Sequence, residues 1–251
     1  MLNAHVFNSD QLDYRLPKTA QVYELLRSAI ISLKLQPGET INEKDLCSQL
    51  DISRTPLREA ILQLANQKLI IIRPNASTVV SPIKLKDVLE GQLVRETLEM
   101  RSVKLAARFF DERHADAFNT SLLRQRSASQ RKATDEFYAL DEGFHKIICE
   151  TSGYPNLWRL LNGAKGQLDR VRRLAFPVQN HFDEVITEHE QMTAAIMSND
   201  ERAAEEIMLA HLDSIFETLQ ILIEKRAEYF TEDSLAIKQY KTLEDFRRLV
   251  G

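Results

Sequence analysis

Cysteine, glycine and proline are scarce in this sequence of 251 residues, which has 2 Cys, 7 Gly and 7 Pro. Cys47 and Cys149 lie far apart, which excludes the framework of several disulfides found in small secreted proteins. Glycine and proline oppose the continuation of a helix, so their scarcity leaves few places where a helix must end. The composition therefore favours a helix-rich fold.

Long hydrophobic runs are also absent, since no apolar stretch approaches the ~20 residues that a membrane-spanning helix requires. The polar N-terminus, residues 1–15, lacks the charged and then apolar order of a secretory signal. With 43% hydrophobic and 28% charged residues, the composition is typical of a globular protein. We expect a cytoplasmic protein without a membrane partner.

The net charge of −4 is unevenly distributed along the chain. Residues 1–84 hold 10 basic and 8 acidic side chains, whereas the remainder holds 23 basic and 29 acidic side chains. The less acidic N-terminal part suits contact with a polyanion better than the rest does.

Three short helices are predicted in the N-terminal third. Apolar residues recur at helical spacing over 17–35, 43–50 and about 54–66. The segments Gln36-Pro37-Gly38 and Asp51-Ile52 separate these helices, because glycine and proline oppose continuation and a break in the apolar pattern follows Leu50.

A hairpin follows the third helix. The β-branched runs 69–72 and 78–80 enclose a polar turn, which is typical of two paired strands. Three helices and a β-hairpin wing predict a winged helix-turn-helix over 16–82, preceded by an N-terminal extension at 1–15.

Beyond a linker at Ser81-Pro82-Ile83 the hydrophobic period stays near 3.6 residues. Strand signals are absent from this part, so we predict an all-α antiparallel helical bundle over 83–230 and a C-terminal helical extension over 231–251. Breaks are predicted at Gly153-Tyr154-Pro155, at Pro177 and at Ser198-Asn199-Asp200. The predicted helices cover 84–110, 113–128, 133–151, 154–175, 181–198, 200–228 and 233–249.

The start of the third helix combines basic and hydroxyl side chains. Arg54 and Arg58 are four residues apart and lie on one face, where each can contact guanine or phosphate bidentately. A solvated helix face is the plain alternative, but the succession of helices and a hairpin favours the recognition helix of a DNA-binding module. The candidate DNA contacts are Lys44, Arg54, Thr55, Arg58 and, at the hairpin tip, Arg73 and Asn75.

Four polar side chains fall on the apolar stripes of three predicted bundle helices. Asp141 and His145 share one stripe, and His189 and His211 lie on two others. A single histidine in such a position is usually a hydrogen-bonded core residue. Four together would leave buried polar groups unpaired, at a high cost in free energy, unless they share a ligand. We therefore predict a divalent transition metal site, with zinc, nickel, manganese or iron as candidates.

Arg95 lies near the middle of the inward face of the first bundle helix. It is either an exposed arginine whose stem covers apolar surface, or a guanidinium that clamps a ligand carboxylate beside the metal. The run Asp169-Arg170-Val171-Arg172-Arg173 carries three further arginines, and for it we expect a solvated face.

The run Ser-Arg-Thr-Pro-Leu-Arg-Glu-Ala at 53–60 is a highly specific signature. With Gln36-Pro37-Gly38 and Ile41-Asn42-Glu43 before it, residues 18–82 resemble the DNA-binding domain of GntR-family bacterial transcription regulators. This resemblance implies that operator DNA is contacted, with the wing assisting, by Lys44, Arg54, Thr55 and Arg58.

Residues 84–228 resemble the FCD ligand-binding domain of the FadR subfamily of those regulators. The matching pieces are Arg95-Glu96, Leu98-Glu99, Asp141 with Phe144-His145, Ser152-Gly153, Glu188-His189 and His211. Members with one aspartate and three histidines resemble metal-dependent sensors of small carboxylates. The roles that the resemblance implies are metal ligation by Asp141, His145, His189 and His211, and anchoring of the effector by Arg95.

The favoured function is a transcription regulator in which a small carboxylate effector, such as a sugar acid, binds at the metal and Arg95. The effector would change the spacing of two DNA-binding modules in a homodimer. We expect this dimer to bind double-stranded palindromic operator DNA as a repressor or an activator.

Two alternatives stay open at this point. One is a metalloenzyme that uses the Asp/His₃ site, and the other is a regulator whose metal is purely structural. The metalloenzyme would need a general base, and Asp141 is the only acidic residue expected beside the ligands.

Overall fold

The computed structural model describes residues 7–73, 77–179 and 182–235. The N-terminal elements are α1 (Lys18–Ile31), β1 (Thr40–Ile41), α2 (Glu43–Leu50), α3 (Arg54–Asn66), β2 (Ile70–Ile72) and β3 (Thr78–Val80). The strands form one antiparallel sheet in the order β1-β3-β2. The predicted hairpin is confirmed as β2 and β3, and β1 is too short for periodicity to reveal it.

The N-terminal unit, residues 18–80, has an apolar core of its own. The residues of α3 that periodicity places inward are all buried: Leu57, Ala60, Ile61 and Leu64. Asp51, with a φ of 49°, ends α2 in left-handed backbone. α1 ends at Ile31, before the predicted residue 35, and Leu33 turns the chain there with a φ of 60°.

Residues 7–15 pack against the N-terminal unit. Phe7 and Leu12 are each 5% exposed and belong to its apolar core, on either side of a 3-10 turn at Ser9–Gln11. These residues therefore add to the packing of the unit.

Long helices follow the sheet and form a bundle around α4, which packs against α6, α8, α9 and α10. This confirms the mostly helical fold. None of the helices in the described ranges is both long and apolar enough to cross a membrane. The bundle elements are α4 (Leu85–Arg108), α5 (Ala115–Gln130), α6 (Thr134–Thr151), α7 (Asn156–Ala164), α8 (Gly166–Gln179), α9 (Phe182–Met197), α10 (Glu201–Asp213), α11 (Ile215–Lys225) and α12 (Glu232–Leu235).

The prediction of a single helix over 154–175 is wrong, because the chain breaks at Lys165 between α7 and α8. Gly163 and Gly166 flank the break and have poor helix propensity, and the side chain of Lys165 is fully buried. The predicted break at Pro177 is also wrong, since α8 continues to Gln179. A proline has a φ compatible with a helix and removes one hydrogen bond from it.

The predicted helix over 200–228 is interrupted at Ser214, between α10 and α11. The Ser214 hydroxyl donates to the carbonyl oxygen of His211 at 2.8 Å, a local bond that competes with the helical pattern. Of the predicted helix over 233–249, α12 accounts for the first residues, and 236–249 lie outside the described residues.

The segment 226–235, which we call the C-terminal strap, holds the linker between the N-terminal unit and the bundle. The backbone N–H of Ile83 donates to Tyr229 O at 2.8 Å, and that of Thr231 donates to Ile83 O at 3.0 Å. Ile83 and Phe230 form a parallel bridge and are both buried. The strap therefore restrains the chain at the start of α4.

Candidate metal centre and DNA-binding helix

Four buried side chains converge inside the bundle. Asp141 and His145 come from α6, His189 from α9 and His211 from α10. Each is at most 5% exposed. One potential ligand atom from each residue lies within 4.8 Å of those from the others. The structure therefore brings together all four residues that the sequence pattern places on inward stripes.

The Nδ1 atom of each imidazole faces an oxygen acceptor on the outer side of the cluster. Carboxylate and side-chain amide oxygens accept hydrogen bonds and do not donate them, so a neutral imidazole in such a position carries its proton on Nδ1 and keeps a lone pair on the inner Nε2. His189 Nδ1 donates to Gln125 Oε1 at 2.8 Å and His211 Nδ1 donates to Glu188 Oε2 at 2.6 Å. Glu99 Oε2 lies 2.7 Å from His145 Nδ1 in a close polar contact that does not have hydrogen-bond geometry.

The inner atoms fit a divalent cation. His145 Nε2 and His211 Nε2 are 3.2 Å apart, and when both rings are neutral with Nδ1 protonated, their lone pairs repel each other unless a cation lies between them. Two nitrogens on one zinc ion stand about 3.3 Å apart. Asp141 Oδ1 is 3.8 Å from His189 Nε2, and neither atom has a hydrogen-bond partner in the described part of the chain. The donor set and its orphaned atoms therefore suit a transition metal.

The pKa shifts favour the protonation states that a metal requires. Desolvation lowers the pKa of His145, and desolvation with the nearby His211 lowers the pKa of His189 well below its usual value. Burial by itself raises the pKa of Asp141, but Arg172 and the imidazoles outweigh it and hold that pKa well below its usual range. At pH 7 Asp141 is thus an anion, and His145 and His189 are neutral.

Arg95 lies beside the cluster and is 3% exposed, so the exposed alternative is wrong. Its Nη2 is 2.9 Å from His145 Nε2, and its Nε donates to Glu99 Oε1 at 2.9 Å. Glu99 thereby joins Arg95 to His145. A buried guanidinium next to the candidate metal ligands is of a type that can pair with a carboxylate.

Glu99 also corrects the expectation that Asp141 is the only acidic residue beside the ligands. Burial raises the pKa of Glu99, but Arg95 and His145 outweigh it and keep the carboxyl ionised. Its position four residues after Arg95, on the same helix face, is the signal in the sequence that indicates it.

The expectation of a solvated face for residues 169–173 is wrong as well. Arg170 is fully buried and its Nη1 donates to Ser81 O at 2.7 Å, while Arg172 is 5% exposed and contacts the carboxylate of Asp141. α8 packs against both α1 and α4, so this run faces protein on two sides. Local charge alone does not reveal such packing.

The first turn of α3 is exposed, as a DNA-contacting helix requires. Of the predicted DNA contacts, Arg73 is exposed just after β2, and Asn75 lies outside the described residues. Arg58 Nε is 3.5 Å from Glu43 Oε2 in a surface ion pair that leaves its guanidinium accessible. The other exposed predicted contacts are Lys44 of α2 and Arg54, Thr55 and Arg58 of α3.

Comparison with known proteins assigns the family. Residues 18–80 match the family model of bacterial regulatory proteins, gntR family, and residues 92–214 match that of the FCD domain. An HTH-type transcriptional regulator in an unstable DNA locus of Streptomyces ambofaciens is 30% identical over 218 residues, which are 86% of this chain and 91% of that protein. The chain belongs to the GntR family.

This GntR-family regulator is also similar to the HTH-type transcriptional repressor RspR of Escherichia coli (strain K12). The two are 29% identical over 223 residues, which are 89% of this chain and 98% of that protein. The solved structure of E. coli McbR/YncC superposes with a TM-score of 0.73 at 20% identity and covers 84% of this chain and 99% of that one. At this identity the likeness shows a shared fold.

The family and its relatives are DNA-binding transcription regulators, and so is this chain. It is not an enzyme. The metalloenzyme alternative is therefore wrong, and the buried cluster is a group that could bind a metal in a regulator.

Proposed function

We propose that this regulator binds palindromic operator DNA as a homodimer, and that a small carboxylate held by a divalent metal and Arg95 alters its affinity for the operator. One observation carries the proposal. Possible ligand atoms of three imidazoles and of Asp141 lie within 4.8 Å of one another in the bundle interior, and the Nδ1 atoms of His189 and His211 are hydrogen-bonded to acceptors outside this cluster.

Asp141, His145, His189 and His211 would be the metal ligands. A metal bound there supplies Lewis-acid attraction for the oxygens of a small ligand. Gln125 and Glu188 would keep the rings of His189 and His211 in one tautomer and orientation. Arg95, held by Glu99 at 2.9 Å, would receive the carboxylate of a sugar acid or a similar anion in a bidentate contact.

The DNA-binding module would be a winged helix-turn-helix over 16–82, joined to a ligand-binding bundle over 83–230. Within it α3 would enter the major groove, with Arg54 and Arg58 at base edges. The hydroxyl of Thr55 and the ammonium of Lys44 would contact phosphates. Arg73 and Asn75 would approach the minor groove.

The DNA-binding part is tested by selecting sites for the full chain from a pool of random duplexes. We expect a palindromic site, and we expect Arg54→Ala and Arg58→Ala each to weaken binding to it by about 1–3 kcal/mol. Arg202→Ala, which removes an exposed arginine of α10, is the matched control and should bind as the wild type does. Salt-dependent binding that ignores sequence would overturn direct readout by α3.

The metal site is tested by titrating ZnCl₂ into chelator-treated chain in a calorimeter. We expect one ion per chain, and we expect His189→Ala to lose this binding. His114→Ala removes a histidine outside the cluster and should bind zinc as the wild type does. Equal zinc binding by both variants would contradict the assigned ligands.

The effector is tested by thermal unfolding with gluconate or dicarboxylates, with and without chelator. A ligand that binds only the folded chain raises its stability. We expect a rise with metal present, its loss with chelator, and its loss in Arg95→Met with zinc binding retained. No rise in metal-loaded wild type would favour the alternative of a purely structural metal.

A further inference from the structure

A chain of buried ion pairs leads outward from Asp141. While Oδ1 of Asp141 faces the imidazoles, Oδ2 accepts a hydrogen bond from Arg172 Nη2 of α8. Arg172 Nη1 also contacts Glu142, the next residue on α6, and lies 3.7 Å from Asp169 Oδ1. Arg172 is thus shared between a candidate metal ligand and two further carboxylates.

Asp169 connects this chain to the N-terminal unit. Its Oδ2 is 3.4 Å from Nη2 of Arg27, and the same Nη2 donates to Asn162 O of α7 at 2.7 Å. Its Oδ1 accepts from Lys165 Nζ at 2.6 Å. Arg27 is 8% exposed although it belongs to α1, so the N-terminal unit contributes one charge to the interior of the contact with the bundle.

This network holds three negative and three positive charges. Because they are buried, leaving any one of them without its partner would cost much free energy. We call its members the interface network: the acids Asp141, Glu142 and Asp169 and the bases Arg27, Lys165 and Arg172. Buried pairs are screened little by salt, and a buried charge that loses part of its partner must be compensated by another. A weaker attraction between Asp141 and Arg172 therefore strengthens the pairing of Arg172 with Glu142 and Asp169.

We propose that the interface network couples occupancy of the Asp141 centre to the docking of α1 against α8. When a cation binds Oδ1 of Asp141, the carboxylate of Asp141 attracts Arg172 less. Arg172 then pairs more strongly with Asp169. Asp169 then holds Arg27 less strongly, and the N-terminal unit is docked less firmly. By linkage, loss of the Arg27 contact must in turn change the affinity of the centre for its cation. This inference rests on the proposed metal site.

Trp158 gives a direct signal from this contact, since it is the only tryptophan of the chain. It lines a cavity of about 320 Å³ between α1 and the bundle, together with Arg27, Asn162 and Asp169. The ammonium of Lys165 is 5.4 Å from the centre of its ring. A change in the docking of α1 therefore alters the surroundings of Trp158 and its emission.

The test titrates ZnCl₂, a spectroscopically silent ion, into chelator-treated full-length chain and follows calorimetry and Trp158 emission together. In the wild type we expect an emission change with the midpoint of zinc binding. In Arg27→Met we expect that change to disappear and zinc to bind at least about fivefold more tightly, since Asp169 then retains Arg172 and leaves Asp141 free.

Arg173→Met is the matched control, because Arg173 lines the same cavity but pairs with Asp135 outside the interface network. It should keep the emission change and the wild-type zinc affinity. Tighter zinc binding by both variants would mean a general effect of lost positive charge and would overturn the proposal.

Asp169→Asn provides a second, nearly isosteric variant if Arg27→Met does not fold. It removes the carboxylate that competes for Arg172, so we expect zinc to bind more weakly and the emission change again to be lost. If the contact between Arg27 and Asp169 were purely structural, both variants would change the zinc affinity in the same direction. If zinc binds and neither variant alters affinity or emission, the coupling is wrong and the metal site stands. If zinc does not bind the wild type, the metal site is wrong and the coupling falls with it.

Discussion

At the scale of single residues, the candidate metal ligands depend on neighbouring side chains that accept their hydrogen bonds. Glu188 accepts a hydrogen bond from His211 Nδ1 at 2.6 Å. A carboxylate in this position fixes the tautomer of the ring and raises its basicity as a ligand. The side chain of Glu188 is 32% exposed, and a glutamine in its place keeps an amide oxygen that can accept from the buried Nδ1 of His211.

We expect Glu188→Gln to weaken zinc binding by about tenfold or more, because the neutral amide supports His211 less well. Calorimetric titration of the chelator-treated chain measures this change. Glu190→Gln, two residues away, removes a surface pair with Arg126 and serves as the control. The same zinc affinity in both variants would show that Glu188 does not support the ligand.

Glu142 makes the stability of the fold depend on pH. Burial raises the pKa of its carboxyl, but Lys165 and Arg172 outweigh burial and lower the pKa from its ordinary 4.5 to about 2. Since the folded-state pKa is the lower one, the carboxylate contributes stability above about pH 4.5, and this contribution is lost as the pH falls toward about 2.

We therefore expect the free energy of unfolding of the wild type to fall more steeply between about pH 4.5 and about pH 2 than that of Glu142→Gln, which has no carboxyl to protonate. Urea unfolding at a series of pH values measures both curves. Parallel curves would contradict the prediction.

At the scale of elements, the C-terminal strap completes the start of α4. The backbone N–H of Leu85 donates to Ser234 Oγ at 2.9 Å, and both residues are 1% exposed. The first N–H groups of a helix have no partner within the helix. The strap therefore satisfies one of these donors from a segment far along the chain.

Ser234→Ala leaves that buried N–H without its acceptor, and we expect it to lower the free energy of unfolding by about 1–3 kcal/mol. Ser129→Ala removes a hydrogen bond to Asp183 at the surface and should change it by less than about 0.5 kcal/mol. Urea denaturation measures both variants. Equal effects would mean that the strap does not stabilise the start of α4.

At the scale of the whole molecule, the four candidate ligands join α6, α9 and α10 across the bundle. An ion that binds only the folded chain stabilises it by about 2.7 kcal/mol when its free concentration is 100 times Kd. For a chain of this size, each kcal/mol moves the unfolding midpoint by about 2–4 °C.

Under those conditions we expect removal of zinc by chelator to lower Tm by about 5–10 °C, as followed by circular dichroism. His189→Ala should show no response to chelator, whereas His114→Ala should respond as the wild type does. A Tm that is the same with and without zinc would contradict binding to the folded state.

The features that the sequence by itself determined are local ones. Helical spacing places Asp141, His145, His189 and His211 on inward faces, because the direction of a side chain from its helix depends only on its position in the turn. The run 53–60 and the apolar residues of α3 likewise predict the DNA-binding helix from neighbouring residues. These predictions need no knowledge of what packs against each face.

Only the tertiary structure decided which partners those side chains meet. Arg172 reaches Asp141 across 31 residues, and Arg27 reaches Asp169 across 142. Hydrophobic periodicity did not predict the helix breaks at Lys165 and Ser214. The ammonium of Lys165 can be buried because it forms ion pairs with Glu142 and Asp169. Spacing along a helix sets where a side chain points, but its partner depends on how distant segments pack.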